Sequence, residues 1–133
     1  MRRFLSYWLP VVVWCAIIFV QSAFAAPDVV PHWPYIDKFL HAGVYALLGV
    51  LLCRALNTLR DWQGHPLKLV LMATLLTALY GLSDEWHQSF VPERSAEVAD
   101  LLADLIGGLV GSWAYRVAQK SGPRRTAKEK GTD

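Results

Sequence analysis

The sequence predicts an all-α fold, a bundle of four transmembrane helices. Three observations carry that expectation. First, 54% of the 133 residues are hydrophobic and only 18% are charged, against about 25% charged in a typical soluble domain. Second, the apolar residues fall into four runs, each near the ~20 residues that a membrane span needs. Third, the charges collect between the runs, and basic and acidic residues collect in different places. Mean hydropathy is +0.29. The chain is therefore neither disordered nor an ordinary soluble enzyme, and the lipid bilayer is its first expected partner. A formal charge of +2 without aromatic-basic patterning speaks against a nucleic-acid partner.

The expected spans are residues 4–22, 39–56, 67–84 and 98–117. The first also has features of a secretory signal: Arg2 and Arg3 precede the apolar run, and Ala23-Phe24-Ala25 resembles a cleavage site. Its apolar run exceeds the ~7–15 residues of a signal core, so a retained helix is favoured. The second and third spans contain few polar groups. The fourth carries Asp100 and Asp104, and its Ala103, Gly107 and Gly111 recur every four residues, a spacing that lets helix backbones approach closely. Residues 1–118 form one membrane domain, and residues 119–133 a basic, disordered cytoplasmic tail. Cys15 and Cys53 lie inside apolar runs, where they do not suggest a disulfide framework.

Orientation follows from the enrichment of Lys and Arg in cytoplasmic loops. With both termini inside, 11 of the 13 basic residues are cytoplasmic, and only Lys38 and Arg94 lie outside. The outer side then carries eight acidic residues, a formal charge of −6, and the inner side carries +8. A multi-pass membrane protein is expected, with its polar cluster on the extracytoplasmic side.

That cluster holds the candidate functional residues. Asp37, His41 and Tyr45 are spaced i, i+4, i+8 and share one helical face that descends into the bilayer. The plainer reading makes Asp37 a helix cap, His41 a buried, bonded imidazole and Tyr45 part of an interfacial aromatic belt. The third span ends in Ser83-Asp84-Glu85-Trp86-His87-Gln88. Two acids near a helix C-terminus oppose the macrodipole, so Asp84 and Glu85 need compensation by a cation, a metal or water. Asp84 and Gln88 share a face; Trp86 is expected in the belt. Ser95 is the expected N-cap of the fourth helix, with Glu97 in its first turn. Arg94 is, apart from Lys38, the only basic residue beside this acidic group; it is expected to pair with carboxylates, and could instead grip an anionic ligand. Asp104 should face the bundle interior and find a partner, because ionisable groups inside the bilayer are costly.

In order, the motifs are Asp37-Lys38-x-x-His41-x-x-x-Tyr45, Asp84-Glu85-x-x-Gln88, Pro92-x-Arg94 and Asp100-x-x-x-Asp104-x-x-Gly107-x-x-x-Gly111. This set resembles the VanZ-like family of small bacterial membrane proteins over roughly residues 37–111. The family often has Gly where Glu93 stands and Asn where Asp104 stands. The resemblance implies a four-span membrane protein of the cell envelope, in a family named for an accessory protein of teicoplanin resistance.

Three functions compete. The favoured one is non-catalytic: Asp37, Lys38, His41, Tyr45, Asp84, Glu85, Gln88, Arg94, Asp100 and Asp104 form a polar pocket that binds a lipid-linked or amphipathic ligand, or supports an envelope-protein partner. The second is a membrane-embedded hydrolase or transferase with His41 as base, Glu85 as acid/base and Arg94 stabilising negative charge. No cofactor is expected; a divalent metal held by His41, Asp84, Glu85 or Asp100 is the weaker alternative. The third is structural, the cluster being an ion-pair network that locks the helices together.

Overall fold

The computed structural model describes residues 2–24, 36–91 and 97–121. Four helices account for nearly all of them: α1 (Arg2–Ser22), α2 (Ile36–Leu56), α3 (Pro66–Gln88) and α4 (Val98–Ser121). Each is long and apolar enough to cross a membrane. At ~1.5 Å per residue they reach roughly 32–36 Å, matching a hydrocarbon core of ~30 Å. The expected all-α, four-span architecture is thus present. All four helices run past the expected bounds: α1 starts at Arg2, α2 starts three residues early at Ile36, α3 begins at Pro66 and continues through Gln88, and α4 extends to Ser121. Helical backbone tolerates the polar residues at these ends because its own hydrogen bonds are satisfied within the segment.

The chain runs up and down. Trp14 of α1 donates its indole N–H to the Val44 carbonyl of α2 at 3.0 Å, while Arg54 near the end of α2 lies over the Tyr7 ring near the start of α1. These pairs make α1 and α2 antiparallel. Tyr45 with Asp84 makes α2 and α3 antiparallel as well. Lys38 meets Glu97 at one end and Asn57 meets Gln119 at the other, so α2 and α4 run parallel. The end of α1, the start of α2, the end of α3 and the start of α4 therefore share one end of the bundle.

The α2–α4 contact is the most extensive, and small residues are the reason. A Cβ placed on Gly107 would collide with the Ala42 carbonyl, one on Gly111 with the Ala46 carbonyl, and one on Gly49 with the Gly108 carbonyl. Ala42, Ala46 and Gly49 thus present a matching small surface on α2 to the glycines of α4. Without a hydrophobic drive between helices in lipid, such backbone approach is a main source of association. Ser112, fully buried, donates to the Gly49 carbonyl at 3.3 Å across the same seam. α3 joins through Thr77, fully buried against Gly108.

α1 is the least buried helix. Only Val11, Ile18 and Ser22 among its described side chains are buried. Two hydrogen bonds nevertheless fasten it: Trp14 to Val44, and the Tyr80 hydroxyl of α3 to the Cys15 carbonyl at 2.6 Å. Pro10 sits inside it, removing one backbone donor, which membrane helices accommodate. The outward faces carry large apolar side chains, such as Phe39 on α2, Leu71, Leu75 and Leu79 on α3, and Leu102, Ile106 and Trp113 on α4. In water these would be a liability; in lipid they are the expected surface. The α2–α3 connection contains a short 3-10 turn (Arg60–Trp62) and Gly64, whose φ of +85° requires glycine-like freedom just before Pro66 opens α3.

Candidate functional site

The shared end of the bundle collects the polar residues in two groups. The outermost is built on Lys38. One turn into α2, its ammonium lies 2.7 Å from the carboxylates of Asp37, Glu97 and Asp100. The Asp37 and Glu97 contacts are hydrogen bonds; the Asp100 Oδ1 contact is an ion pair outside hydrogen-bond geometry. Asp100 is buried, while Asp37 and Glu97 are exposed. Lys38 therefore ties the start of α2 to the start of α4 and answers the charge of Asp100.

The second group lies deeper, where α2, α3 and α4 meet. His41 Nδ1 lies 3.0 Å from Asp104 Oδ1, and Asp104 is fully buried. The His41 and Tyr45 rings are nearly parallel, 6.3 Å apart, one helical turn from each other. The Tyr45 hydroxyl donates to Asp84 Oδ2 at 3.2 Å, and the Gln88 amide donates to the same oxygen at 2.9 Å. Glu85 Oε2 accepts the Glu97 backbone N–H at 3.0 Å. This bond crosses from the end of α3 to the residue that precedes α4, so Glu85 caps the opening of that helix from outside it.

Four buried carboxylate oxygens have no hydrogen-bond partner among the described residues: Asp100 Oδ1, which Lys38 meets as an ion pair, and Asp84 Oδ1, Glu85 Oε1 and Asp104 Oδ2. Glycine makes room for one of them, since a Cβ on Gly81 would lie 2.7 Å from Asp104 Oδ2. His41, Glu85 and Asp104 each bring one ligand-type atom into a group within 4.8 Å. A cavity of about 50 Å³ adjoins the group. Ile18, Leu40 and Val44 form its apolar wall, and Gln21, Ser22, His41, Tyr45, Asp84 and Gln88 its polar one.

The expected residues are thus partly joined and partly separated. His41, Tyr45, Asp84, Glu85, Gln88 and Asp104 converge, while Lys38 and Asp100 form the neighbouring cap. Asp37 shares a helical face with His41 by spacing, yet its carboxylate turns to Lys38, and Asp104 is the carboxylate that meets His41. Arg94, with Pro92, Glu93 and Ser95, lies outside the described residues. Trp86 is largely exposed and packs edge-on to Phe90, as a belt residue would. Gly107 and Gly111 pack on α2 as their spacing suggested, and Ala103 is half-buried one turn earlier. Four contributors escaped the sequence reading: Gly81, Gln21, Ser22 and the Ala42/Ala46/Gly49 surface. A small residue inside an apolar run carries no polarity signal. Gln21 and Ser22 were legible as polar residues ending the first span, but not as neighbours of His41.

A four-helix membrane protein with a half-buried His and buried Tyr and carboxylate side chains gathered at one end is the class that fold and site define. A family model described as VanZ/LLP1 matches residues 5–119, a stretch that includes all of this polar group. The chain belongs to the VanZ/LLP1 family. Neither a curated protein nor a solved structure matches it.

Proposed function

We propose that the polar end faces the extracytoplasmic side of a bacterial plasma membrane and binds, without catalysis, the polar head of an amphipathic envelope component. The observation that carries this reading is the cavity beside His41, Tyr45, Asp84 and Gln88. Its size admits a few water-sized groups, so the bulk of a ligand stays outside, among the lipids. Its wall is aliphatic on one side and polar on the other, and Asp84 Oδ1 stands ready to accept. A head bearing donors, such as a sugar hydroxyl or an ammonium, fits that chemistry, and its apolar body can lie along Ile18, Leu40 and Val44. The concentration of basic residues at the opposite end supports the orientation.

Catalysis is supported less well. A hydroxyl nucleophile should sit within hydrogen-bond reach of its base. Ser22, Ser83 and Ser89 instead donate to the carbonyls of Phe19, Tyr80 and Trp86, and among the described residues no hydroxyl bonds to His41.

The test is lipid co-purification. Asp84→Asn and Arg94→Ala proteins, purified at wild-type yield, are expected to lose a lipid species that mass spectrometry finds with the wild type, and to alter glycopeptide susceptibility where expression confers it. An unchanged lipid profile in both variants would overturn the reading.

A further inference from the structure

We infer that His41, Glu85 and Asp104 form a binding site for one first-row divalent cation. Three residues on three different helices bring one imidazole nitrogen and two carboxylate oxygens within 4.8 Å of one another. Ligands on opposite sides of an ion with ~2.0–2.2 Å bonds lie up to ~4.4 Å apart, so closure needs only a small side-chain rotation.

The carboxylates themselves supply the second, independent observation. Asp104 is 0% exposed and Glu85 6% exposed, and each keeps one oxygen without a hydrogen-bond partner among the described residues. Their other oxygens are already held, by His41 and by the Glu97 N–H. The Glu97 N–H on Glu85 is an outer contact of the kind that fixes a metal ligand's orientation, while the His41–Asp104 contact joins two of the ligands directly. Gly81 keeps clear the space beside Asp104 Oδ2 that a side chain would fill. The cavity that His41 lines gives a route in.

Charge points the same way. Lys38 is engaged by Asp37, Glu97 and Asp100. A protonated His41 would answer Asp104 but leave Glu85 uncompensated at membrane depth. A divalent ion with a neutral His41 and both carboxylates gives a site of zero net charge. The structure also revises the ligand set that the sequence suggested: the group whose ligand atoms lie within 4.8 Å of one another takes in Asp104 and leaves out Asp84 and Asp100. One imidazole with two carboxylates suits Zn2+ or Mn2+ better than Mg2+, which binds oxygen ligands and keeps its waters.

The experiment uses the full-length protein in nanodiscs, stripped with chelator and titrated with Zn2+, Mn2+ or Mg2+, with Co2+ as an absorbing probe. The expected result is about one equivalent of Zn2+ or Mn2+ per chain and a Co2+ d–d band. At least a tenfold weaker affinity is expected in His41→Gln, Glu85→Gln and Gly81→Ala, and an unchanged one in Gly43→Ala, where a Cβ meets nothing within 4 Å. Uptake below a tenth of an equivalent by the wild-type protein overturns the inference without reference to any variant; a chain whose Arg94 supplies the missing positive charge would behave that way. Uptake that survives both His41→Gln and Glu85→Gln in monodisperse protein overturns it as well. Metal uptake with an unchanged lipid profile in Asp84→Asn and Arg94→Ala would leave the cation site standing and remove only the lipid-head reading; the converse removes only the cation site.

Discussion

His41 and Asp104 set the stakes at the level of single residues. Asp104 is fully buried, its Oδ1 meets His41 Nδ1 at 3.0 Å, and its other oxygen is unpartnered among the described residues. Removing one partner of a buried hydrogen bond typically costs ~1–3 kcal/mol, more for a charged survivor, because that group is left unsatisfied, whereas removing both is much cheaper. His41→Ala is therefore expected to lower thermal stability in detergent by an amount of that order, and His41→Ala with Asp104→Ala to recover most of it. Equal loss in the single and double variants, read as a double-mutant cycle, would show that the two do not act as a pair. Lys38 offers a contrast. Exposed pairs contribute ~0–1 kcal/mol each, but Lys38 also answers buried Asp100. Lys38→Ala should accordingly destabilise more than Asp37→Ala, which removes only an exposed partner, and comparison of the two melting temperatures decides it. How far such partners are legible in sequence depends on the distance they span. The Tyr45 and His41 face and the Asp84–Gln88 pair follow from helical spacing alone. The His41–Asp104 pair does not, because it depends on α2 and α4 lying parallel in one register, which no periodicity within a single helix encodes.

At the scale of the helices, the α2–α4 seam positions the site. Asp100 and Asp104 reach Lys38 and His41 because Gly107 and Gly111, one and two turns further along α4, let its backbone settle onto α2. Overpacking a tight contact costs about 1–3 kcal/mol, so Gly107→Ala and Gly111→Ala are each expected to lower stability within that range. Gly43 is the control. It lies on α2 with nothing within 4 Å of a Cβ, and alanine there should be neutral or stabilising by up to ~1 kcal/mol through helix propensity. Protein abundance and melting temperature of the three variants check this, and equal behaviour of all three would show that the seam is not closely packed. Half of the seam was readable beforehand: the glycine stripe of α4 stands out because glycine is unusual in an otherwise apolar helix. The complementary Ala42 and Ala46 blend into their run, since alanine is equally at home facing lipid. The extension of α3 through Gln88 was hidden for a related reason. Hydropathy falls at Ser83-Asp84-Glu85 and suggests an end, but the helix continues because the Asp84 and Glu85 side chains turn inward to Tyr45, Gln88 and the start of α4.

For the whole molecule, the two ends differ in charge as sharply as in chemistry. Among the described residues, Arg54, Arg60, Lys68, Arg116 and Lys120 belong to one end, while Lys38 is the sole Lys or Arg at the other, among Asp37, Asp84, Glu85, Glu97, Asp100 and Asp104. An insertion machinery that retains Lys and Arg in the cytoplasm would direct the His41 end outward, and that is the orientation an envelope ligand requires. The arrangement also bears on the first helix. If residues before Ala25 were removed as a signal, the Trp14–Val44 and Tyr80–Cys15 hydrogen bonds and the Ile18 and Ser22 walls of the cavity would go with them. The protein isolated from membranes is therefore expected to retain α1, with detection of α1 peptides by mass spectrometry as the check. Orientation is tested separately by single cysteines in a Cys15→Ser/Cys53→Ser background. Ser89→Cys lies just beyond the end of α3, and Gln63→Cys lies in the α2–α3 connection at the opposite end. In intact cells stripped of their outer membrane, an impermeant maleimide is expected to label the first and reach the second only after lysis. The reverse pattern would turn the His41 end to the cytoplasm, where the ligand would have to be a cytoplasmic-leaflet lipid; labelling of both sites before lysis would mean that the chain does not cross the bilayer in the up-and-down order that its helix contacts require.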